Sequence, residues 1–296
     1  QLSAPASAIT FWSAGWGCFG MPNAVASYGT SFKISDGNNR SAMTAKAKTR
    51  LYVEVPLSQE GIVELSKDKA HFLKNVLRLS PGDSVAFFNG ADGEWFGRLD
   101  VLSKNTATAV LDHQSRPQSP MPDVWLVFAP IKRARIDFVA EKATELGVAQ
   151  IRPVITRRTV MARVNTGRLE ANALEASEQC ERLDVPQVYE PEQLNKVLDN
   201  WPEGRRILWC DEGASGGPIA QALANLDEQA KSDPWAILIG PEGGFDEVER
   251  NRLIEFPDAL AVTLGPRLLR ADTAAAAALA IWQAWKFSSS SCSIAT

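Results

Sequence analysis

Histidine and cysteine are scarce in this chain of 296 residues, which has two histidines and four cysteines. The cysteines are far apart and form no C-x-x-C pair, so the sequence indicates neither a zinc ribbon nor a disulfide framework. Two histidines are too few for a histidine-rich metal site. We therefore expect no metal cofactor, and a reducing compartment, the cytoplasm, fits best. The residues concerned are His71, His113, Cys18, Cys180, Cys210 and Cys292.

An excess of positive charge is also missing. The formal net charge is −4, which argues against a protein that coats nucleic acid, because neutralising phosphates needs many clustered cations. Any RNA contact must be local, for example at Lys132, Arg133 and Arg135 or within the arginines of residues 152–168. Such runs are also typical of plain solvated surface. No apolar run approaches the roughly 18 residues that a membrane span needs, so we expect a soluble protein.

Several catalytic motifs are absent from the sequence: it has no P-loop, no H-E-x-x-H and no G-x-S-x-G. No motif therefore supports an NTPase, a zincin or a serine hydrolase. One G-x-G-x-x-G does occur, Gly15–Gly20, with Asp36 where a ribose-binding acid would stand. Pro22 and Asn23 interrupt the helix that should follow. We interpret residues 1–47 as a Ser-, Ala- and Gly-rich extension that is disordered or not native. A nucleotide-dependent oxidoreductase remains an alternative function.

The length fits two domains of roughly 100–200 residues each, and 45% hydrophobic with 22% charged residues is an ordinary globular balance. Residues 48–115 show short alternating runs separated by turn residues, which predict a small β-barrel with strands at 50–55, 84–88, 94–99 and 107–111. Between them, Asp68–Leu79 has helical spacing, with Phe72, Val76 and Leu79 predicted in the core and Arg78 pointing elsewhere. The Pro-rich stretch 116–122 is a predicted linker.

Residues 123–287 alternate buried strands with helices, which predicts an α/β domain built on a parallel sheet. The predicted strands are 124–128, 151–155, 206–210, 235–239 and 260–264. A helix around 136–146 should end at Gly147, as helices often end at glycine. Residues 288–296 form a Ser-rich tail.

Two of these strands run into unusual loops, Ile239-Gly-Pro-Glu-Gly-Gly-Phe245 and Leu264-Gly-Pro-Arg-Leu-Leu-Arg270. Ligands of open α/β sheets bind at the carboxyl ends of strands. Gly243 and Gly244 let the backbone approach a ligand closely, and free N–H and C=O groups can bind an adenine edge. Two tight turns without a ligand are the alternative interpretation. The alanine run 274–278 then predicts a helix that other backbone can approach closely.

These two loops together resemble the SPOUT methyltransferases, and specifically the RsmE family of 16S ribosomal RNA uridine-N3 methyltransferases. The resemblance covers about residues 50–286 and includes three further segments, Val76–Leu79 with Gly82-Asp83, Glu141–Val148, and Glu178–Arg182 with Pro186. It implies a PUA-like N-terminal barrel for RNA and a C-terminal domain with a deep trefoil knot. It also implies a homodimer that uses S-adenosyl-L-methionine to methylate 16S ribosomal RNA or the small ribosomal subunit.

The resemblance also implies which residues act. Cofactor contacts are expected from three segments, namely Cys210 and Asp211, Ile239, Gly240, Pro241, Glu242, Gly243 and Gly244, and Leu264, Gly265, Leu268 and Leu269. RNA contacts are expected from Arg78, Lys132, Arg158, Gln179 and Arg182. Three positions depart from the family: His71-Phe72 replaces two adjacent histidines, Asp272 replaces a glutamate, and Arg157 replaces an acid.

Methylation of uracil N3 requires loss of a proton, and we expect Arg270 to stabilise the negative charge that develops on the base oxygens. A purely structural role, in which Arg270 pairs with Asp272 or caps a helix, is the alternative. Asp272 or Glu242 could assist deprotonation, or either could hold a loop by accepting backbone N–H bonds. A non-catalytic RNA-binding protein that retains the barrel and the knot remains the second function.

Overall fold

The computed structural model describes residues 47–131, 133–161, 163–211 and 216–288. Several sequence-based expectations lie outside these ranges: the extension up to residue 46 with its glycine pattern and Asp36, Lys132, and the tail from residue 289.

The N-terminal part contains a five-stranded sheet. Its strands are β1 (Arg50–Tyr52), β2 (Ile62–Leu65), β3 (Ser84–Phe88), β4 (Glu94–Leu102) and β5 (Ala107–Arg116). Their order is β1-β3-β4-β5-β2, with β1 parallel to β3 and the other pairs antiparallel. Each strand contributes to one apolar core, which includes Leu51, Val63 and Phe87. Four strands were predicted, and β2 was not among them.

The helical segment between β2 and β3 differs from its prediction. Helix α1 (Lys67–His71), capped by the Ser66 hydroxyl, continues as a π-helical turn over Phe72–Val76. The backbone N–H of Leu77 bonds the Phe72 carbonyl, five residues back. This wider turn shifts the buried face to Ala70 and Leu73, whereas Phe72 is 38% and Val76 59% exposed. The prediction that both lie in the core is wrong; Leu79 is buried as predicted, and Arg78 is exposed.

Among its described residues, the C-terminal part contains eight strands. They are β6 (Val124–Phe128), β7 (Gln150–Ile155), β8 (Gln187–Val188), β9 (Glu192–Gln193), β10 (Arg206–Cys210), β11 (Gly217–Pro218), β12 (Trp235–Ile239) and β13 (Ala259–Thr263). The helices are α2 (Arg133–Glu145), α3 (Thr166–Gln179), α4 (Leu194–Asp199), α5 (Ile219–Ala224), α6 (Glu247–Ile254) and α7 (Ala271–Lys286), with a 3-10 turn at Glu228–Lys231.

Every ladder in this sheet is parallel, and the order is β11-β13-β10-β12-β6-β7-β8, with β9 beside β7. Helices α2, α3, α5 and α7 cover one face, while α4 and α6 cover the other. Because both faces are covered, the central strands are continuous apolar runs, which is why the sequence predicted them closely. The α/β class is confirmed. Gly147 ends α2 with φ 76° as predicted. None of the helices described here is long and apolar enough to cross a membrane.

A buried ion network joins the five-stranded sheet to α3. The Arg50 guanidinium donates to the carbonyls of Ser177 and Glu178 in the last turn of α3 and of Arg182 just beyond it, and to the Glu94 carboxylate at 2.6 Å. A cation is favourable there because the last helical carbonyls have no partner within the helix. Glu94 also accepts from Arg116 and Ser115. Sheet and helix are therefore held together by an Arg50–Glu94 pair that is largely shielded from water, with side chains 11% and 7% exposed.

Candidate functional site

Three loops meet at the carboxyl edge of the larger sheet. They follow β10, β12 and β13, which are neighbours in the order β13-β10-β12 although distant in sequence. Between them lies a cavity of about 1230 Å³, large enough for a cofactor of ordinary size. All twelve residues predicted to contact the cofactor line it: Cys210, Asp211, Ile239, Gly240, Pro241, Glu242, Gly243, Gly244, Leu264, Gly265, Leu268 and Leu269.

The loop after β12 turns sharply. The N–H of Gly244 bonds the Pro241 carbonyl at 2.9 Å, and Gly244 has φ 67°, a conformation that glycine adopts without strain. Helix α6 then begins with a capping box between Asp246 and Glu249. This box fixes where the loop ends, because it satisfies N–H groups at the start of the helix.

Gly240 is required by close packing. A Cβ atom there would lie 2.8 Å from the Phe245 ring, and that ring packs edge-on against Trp209 with centroids 5.8 Å apart. We predict that Gly240→Ala weakens S-adenosylmethionine binding about 10-fold, since overpacking a fitted site costs roughly 1–3 kcal/mol. Calorimetric titration measures this. Gly217→Ala is the matched control because its Cβ would meet nothing within 4 Å; equal binding by both variants would contradict the prediction.

The loops after β12 and β13 both contain backbone N–H groups that bond to no acceptor among the described residues. Gly265 has φ 109°, Leu269 packs against the core, and Leu268 is 78% exposed. Among the residues described, the N–H groups of Gly243, Gly265 and Leu268 have no hydrogen-bond partner. Exposed N–H donors beside a cavity suit a ligand with ring nitrogens and a carboxylate. These residues therefore fit S-adenosylmethionine.

The third loop begins with Cys210 and Asp211. Burial raises the pKa of the Cys210 thiol to about 12, so this thiol stays neutral at physiological pH and is a poor nucleophile. Asp211 is buried and accepts from the Arg250 guanidinium at 2.8 and 3.3 Å. Arg250, on α6, was not predicted. The two residues lie 39 apart in sequence, and no local pattern connects them.

Arg270 and Asp272 stand at the start of α7 but do not pair with each other. Both oxygens of Asp272 are engaged, one by the N–H of Thr273 and the other by Arg135 at 2.7 Å. Asp272 is 9% exposed, which suits a group that anchors Arg135. Arg270 is exposed, lines the cavity and has no hydrogen-bond or ion-pair partner for its side chain among the residues described. Arg135 also lines the cavity and was singled out from sequence only as part of a charged run.

Two arginines after β7 support the Gly240–Gly244 loop. The Arg158 side chain donates to the Gly243 carbonyl at 2.8 Å. Arg157 pairs with Asp246 at 3.0 Å, and its backbone N–H donates to Glu249. The pKa of Asp246 is lowered by its bond from the Glu249 N–H and further by Arg157. The departure from the family at Arg157 is therefore matched by an acid across the loop.

Arginine dominates the charge around the cavity. Five arginines line it (Arg135, Arg158, Arg250, Arg267 and Arg270), compared with the acids Asp211 and Glu242. A positive cavity mouth attracts a polyanion even though the whole chain is acidic. Within the ranges described, no cluster of three or more His, Cys, Asp or Glu is placed to hold a metal ion.

The residues predicted to contact RNA are dispersed. Arg158 lines the cavity, Arg78 and Gln179 are exposed elsewhere, and Lys132 lies outside the described residues. Arg182 is 6% exposed, donates to the Thr144 carbonyl and pairs with Asp184. In this position its guanidinium is not available to RNA, and its observed contacts are structural.

Comparisons with known proteins agree with this architecture. A family model described as an RNA methyltransferase domain matches residues 117–283, and one described as an RNA methyltransferase PUA domain matches residues 65–112. Ribosomal RNA small subunit methyltransferase E of Rickettsia conorii is 30% identical over 78% of this chain and 93% of its own length. The protein of that name from Bacillus subtilis is 27% identical over 76% of this chain and 92% of its own.

Solved structures show the same relationship. The crystal structure of a ribosomal RNA small subunit methyltransferase E from Neisseria gonorrhoeae, bound to S-adenosyl methionine, superposes with a TM-score of 0.69. It is 30% identical and covers 79% of this chain and 96% of its own. A predicted RNA methyltransferase from Thermotoga maritima gives a TM-score of 0.60 at 26% identity, covering 79% of this chain and 97% of its own. With its paired domains and its glycine loops around one cavity, this chain belongs to the ribosomal RNA small subunit methyltransferase E family.

Proposed function

We propose that this protein methylates N3 of a uridine in 16S ribosomal RNA, using S-adenosylmethionine as the methyl donor. The observation that carries the proposal is the convergence of all twelve predicted cofactor residues on one cavity. The relatives named as small-subunit ribosomal RNA methyltransferases, one of them bound to S-adenosyl methionine, support it.

The two parts of the chain have separate roles in this proposal. Residues 48–115 form the RNA-binding domain, and residues 123–287 form the methyltransferase domain. The PUA match at 65–112 and the methyltransferase match at 117–283 support this division. We further propose a cytoplasmic homodimer whose cofactor site lies in a trefoil knot, as the family resemblance implies.

The cavity residues divide into binding and catalytic groups. The backbone of the Gly240–Gly244 and Leu264–Leu269 loops would hold the cofactor, which supplies the methyl group when bound. Arg270 stabilises negative charge on the uracil oxygens as N3 loses its proton, and its free guanidinium beside the cavity supports that role. Asp272 acts by positioning Arg135, because both of its oxygens are already engaged. Glu242 is exposed at the cavity and is the carboxylate left to accept a proton.

RNA binding in this proposal involves Arg158 at the cavity and Arg78 on the smaller domain, with Gln179 and Lys132 as further contacts. The exposure of Arg78, Arg158 and Gln179 supports their part in it. A cation that contacts a phosphate releases a counterion on binding, so replacing it should lower the salt dependence of affinity.

The deciding experiment titrates S-adenosylmethionine into the full chain by calorimetry, then treats small-subunit ribosomal RNA with enzyme and cofactor. Mass spectrometry of the nucleosides identifies the product. We expect saturable binding and N3-methyluridine. A folded protein that binds RNA but not the cofactor would refute the proposal in favour of a non-catalytic RNA-binding protein. A methyl group on another atom or base would be consistent with RNA methylation but would refute N3 of uridine as the target.

A further inference from the structure

The π-helical turn displays apolar side chains where the sequence pattern would bury them. Phe72 is 38% and Val76 59% exposed, and they lie four residues apart on consecutive levels of the turn. Exposing them costs hydrophobic burial that a regular helix with the predicted face would have gained. π-helical turns are rare and often occur at functional sites. Disagreement between local pattern and structure is expected where function imposes it.

Cations surround these two side chains. Lys67, Lys74 and Arg78 are exposed along residues 67–78, whose only acid is Asp68. Within the described ranges, none of the three cations forms an ion pair or a side-chain hydrogen bond. The segment thus carries a local positive charge on a chain whose net charge is −4. Free cations beside an exposed apolar surface suit a ligand that is both anionic and flat.

Arg78 shows that this surface is held under strain. Its φ is 56°, a left-handed conformation that costs a residue with a Cβ energy and is often found at functional sites. The N–H of Leu79 bonds the Leu73 carbonyl and holds the chain in this shape. The Arg78 side chain consequently leaves the turn at a direction that an ordinary helical residue would not take.

We infer that the π-turn surface, made of Phe72, Lys74, Val76 and Arg78, binds an unpaired segment of the substrate RNA, with one base stacked on the Phe72 ring. Base stacking on aromatic rings and a row of cations along the backbone are the two interactions that bind single-stranded nucleic acid. A duplex offers no free base face to such a ring. This inference rests on the proposed function and adds the strandedness of the substrate and the residue that recognises it.

The test uses the full chain and fluorescence anisotropy with labelled oligouridine, free or annealed to oligoadenosine. We expect wild type to prefer the single strand. Phe72→Ala should weaken single-strand binding about 10-fold without changing its salt dependence, because stacking involves no counterion release. Phe72→Trp should restore affinity. Lys74→Gln should instead lower the salt slope by about 1.

Ile62→Ala is the matched control, because Ile62 is 68% exposed in the same domain but lies on β2, outside the π-turn surface. S-adenosylmethionine binding should be unchanged in every variant. A wild-type protein that does not bind the cofactor would refute the proposed function, whereas the RNA-binding results test this inference. Equal losses in Phe72→Ala and Ile62→Ala would overturn the inference. The inference would also be overturned if Phe72→Ala kept its RNA affinity but changed its oligomeric state in sedimentation. The π-turn surface would then contact a second protein chain.

Discussion

Arg270→Ala should lower kcat by about 10²–10³-fold, the usual effect of removing one group that stabilises developing charge. The affinity for S-adenosylmethionine should remain near that of the wild type, because Arg270 stands at the cavity edge and the glycine loops remain intact. The measurement is single-turnover methylation of small-subunit ribosomal RNA, with calorimetry for the cofactor. Because the negative charge on the deprotonated base is then no longer stabilised by Arg270, the rate of the variant should also rise more steeply with pH.

Arg252→Ala is the control for this experiment. Arg252 forms a surface pair with Asp199 and does not line the cavity, so its removal should leave kcat unchanged. Arg270→Lys should recover part of the rate, since it keeps the charge and loses the planar fork of donors. An unchanged kcat in Arg270→Ala would assign Arg270 a structural role and leave the other arginines of the cavity, such as Arg135, as candidates for stabilising the charge.

Glu94→Gln should destabilise the protein by about 3–4 kcal/mol at neutral pH, because a pKa that falls from 4.5 to about 2 on folding, at about 1.4 kcal/mol for each unit, corresponds to roughly 3.5 kcal/mol of stability. Burial alone would raise the pKa of Glu94, but hydrogen bonds from Arg116, Ser115 and Arg50 outweigh it and lower the pKa from 4.5 to about 2. The amide keeps the shape of the side chain but leaves two arginines without their counter-charge. Urea unfolding at neutral pH measures the difference.

The pH dependence of this effect has a definite sign. Because the folded-state pKa of Glu94 is depressed, its stabilising contribution is complete above about pH 4.5 and is lost as the pH falls towards 2. The difference in the free energy of unfolding between wild type and Glu94→Gln should therefore become smaller as the pH falls from about 4.5 towards 2. Asp199→Asn removes a carboxylate from the exposed pair with Arg252 and should cost less than about 1 kcal/mol. A difference that stays constant from about pH 7 to about pH 3 would contradict the assigned cause.

The sequence predicted where the two glycine loops follow strand ends, because the residues that form them are adjacent in the chain. Residues 239–245 run from the end of β12 to just before α6, and residues 264–270 join the end of β13 to the start of α7. The central strands were also predicted from the sequence, since continuous apolar runs occur where helices cover both faces of a sheet. Pairs such as Asp211 with Arg250 and Asp272 with Arg135 were not predictable, because each joins groups far apart in the chain.

The prediction for Phe72 and Val76 was wrong for a different reason. Their spacing fits an α-helix, and only the bond from Leu77 to Phe72 reveals the wider turn. Arg182 was expected to contact RNA from the family resemblance and its charge, whereas the surrounding fold buries it beside Thr144 and Asp184. The trefoil knot and the homodimer stay predictions from the family resemblance.

By itself the sequence determined the α/β class, the positions of the main strands and the two glycine loops, because these depend on periodicity and on residues adjacent in the chain. Only the tertiary structure decided which charged groups meet, which face of the first helical segment is exposed, and that Arg270 is left free while Asp272 is engaged. Those outcomes depend on contacts between distant segments, and the free energy of such contacts is set by burial and geometry that no local pattern contains.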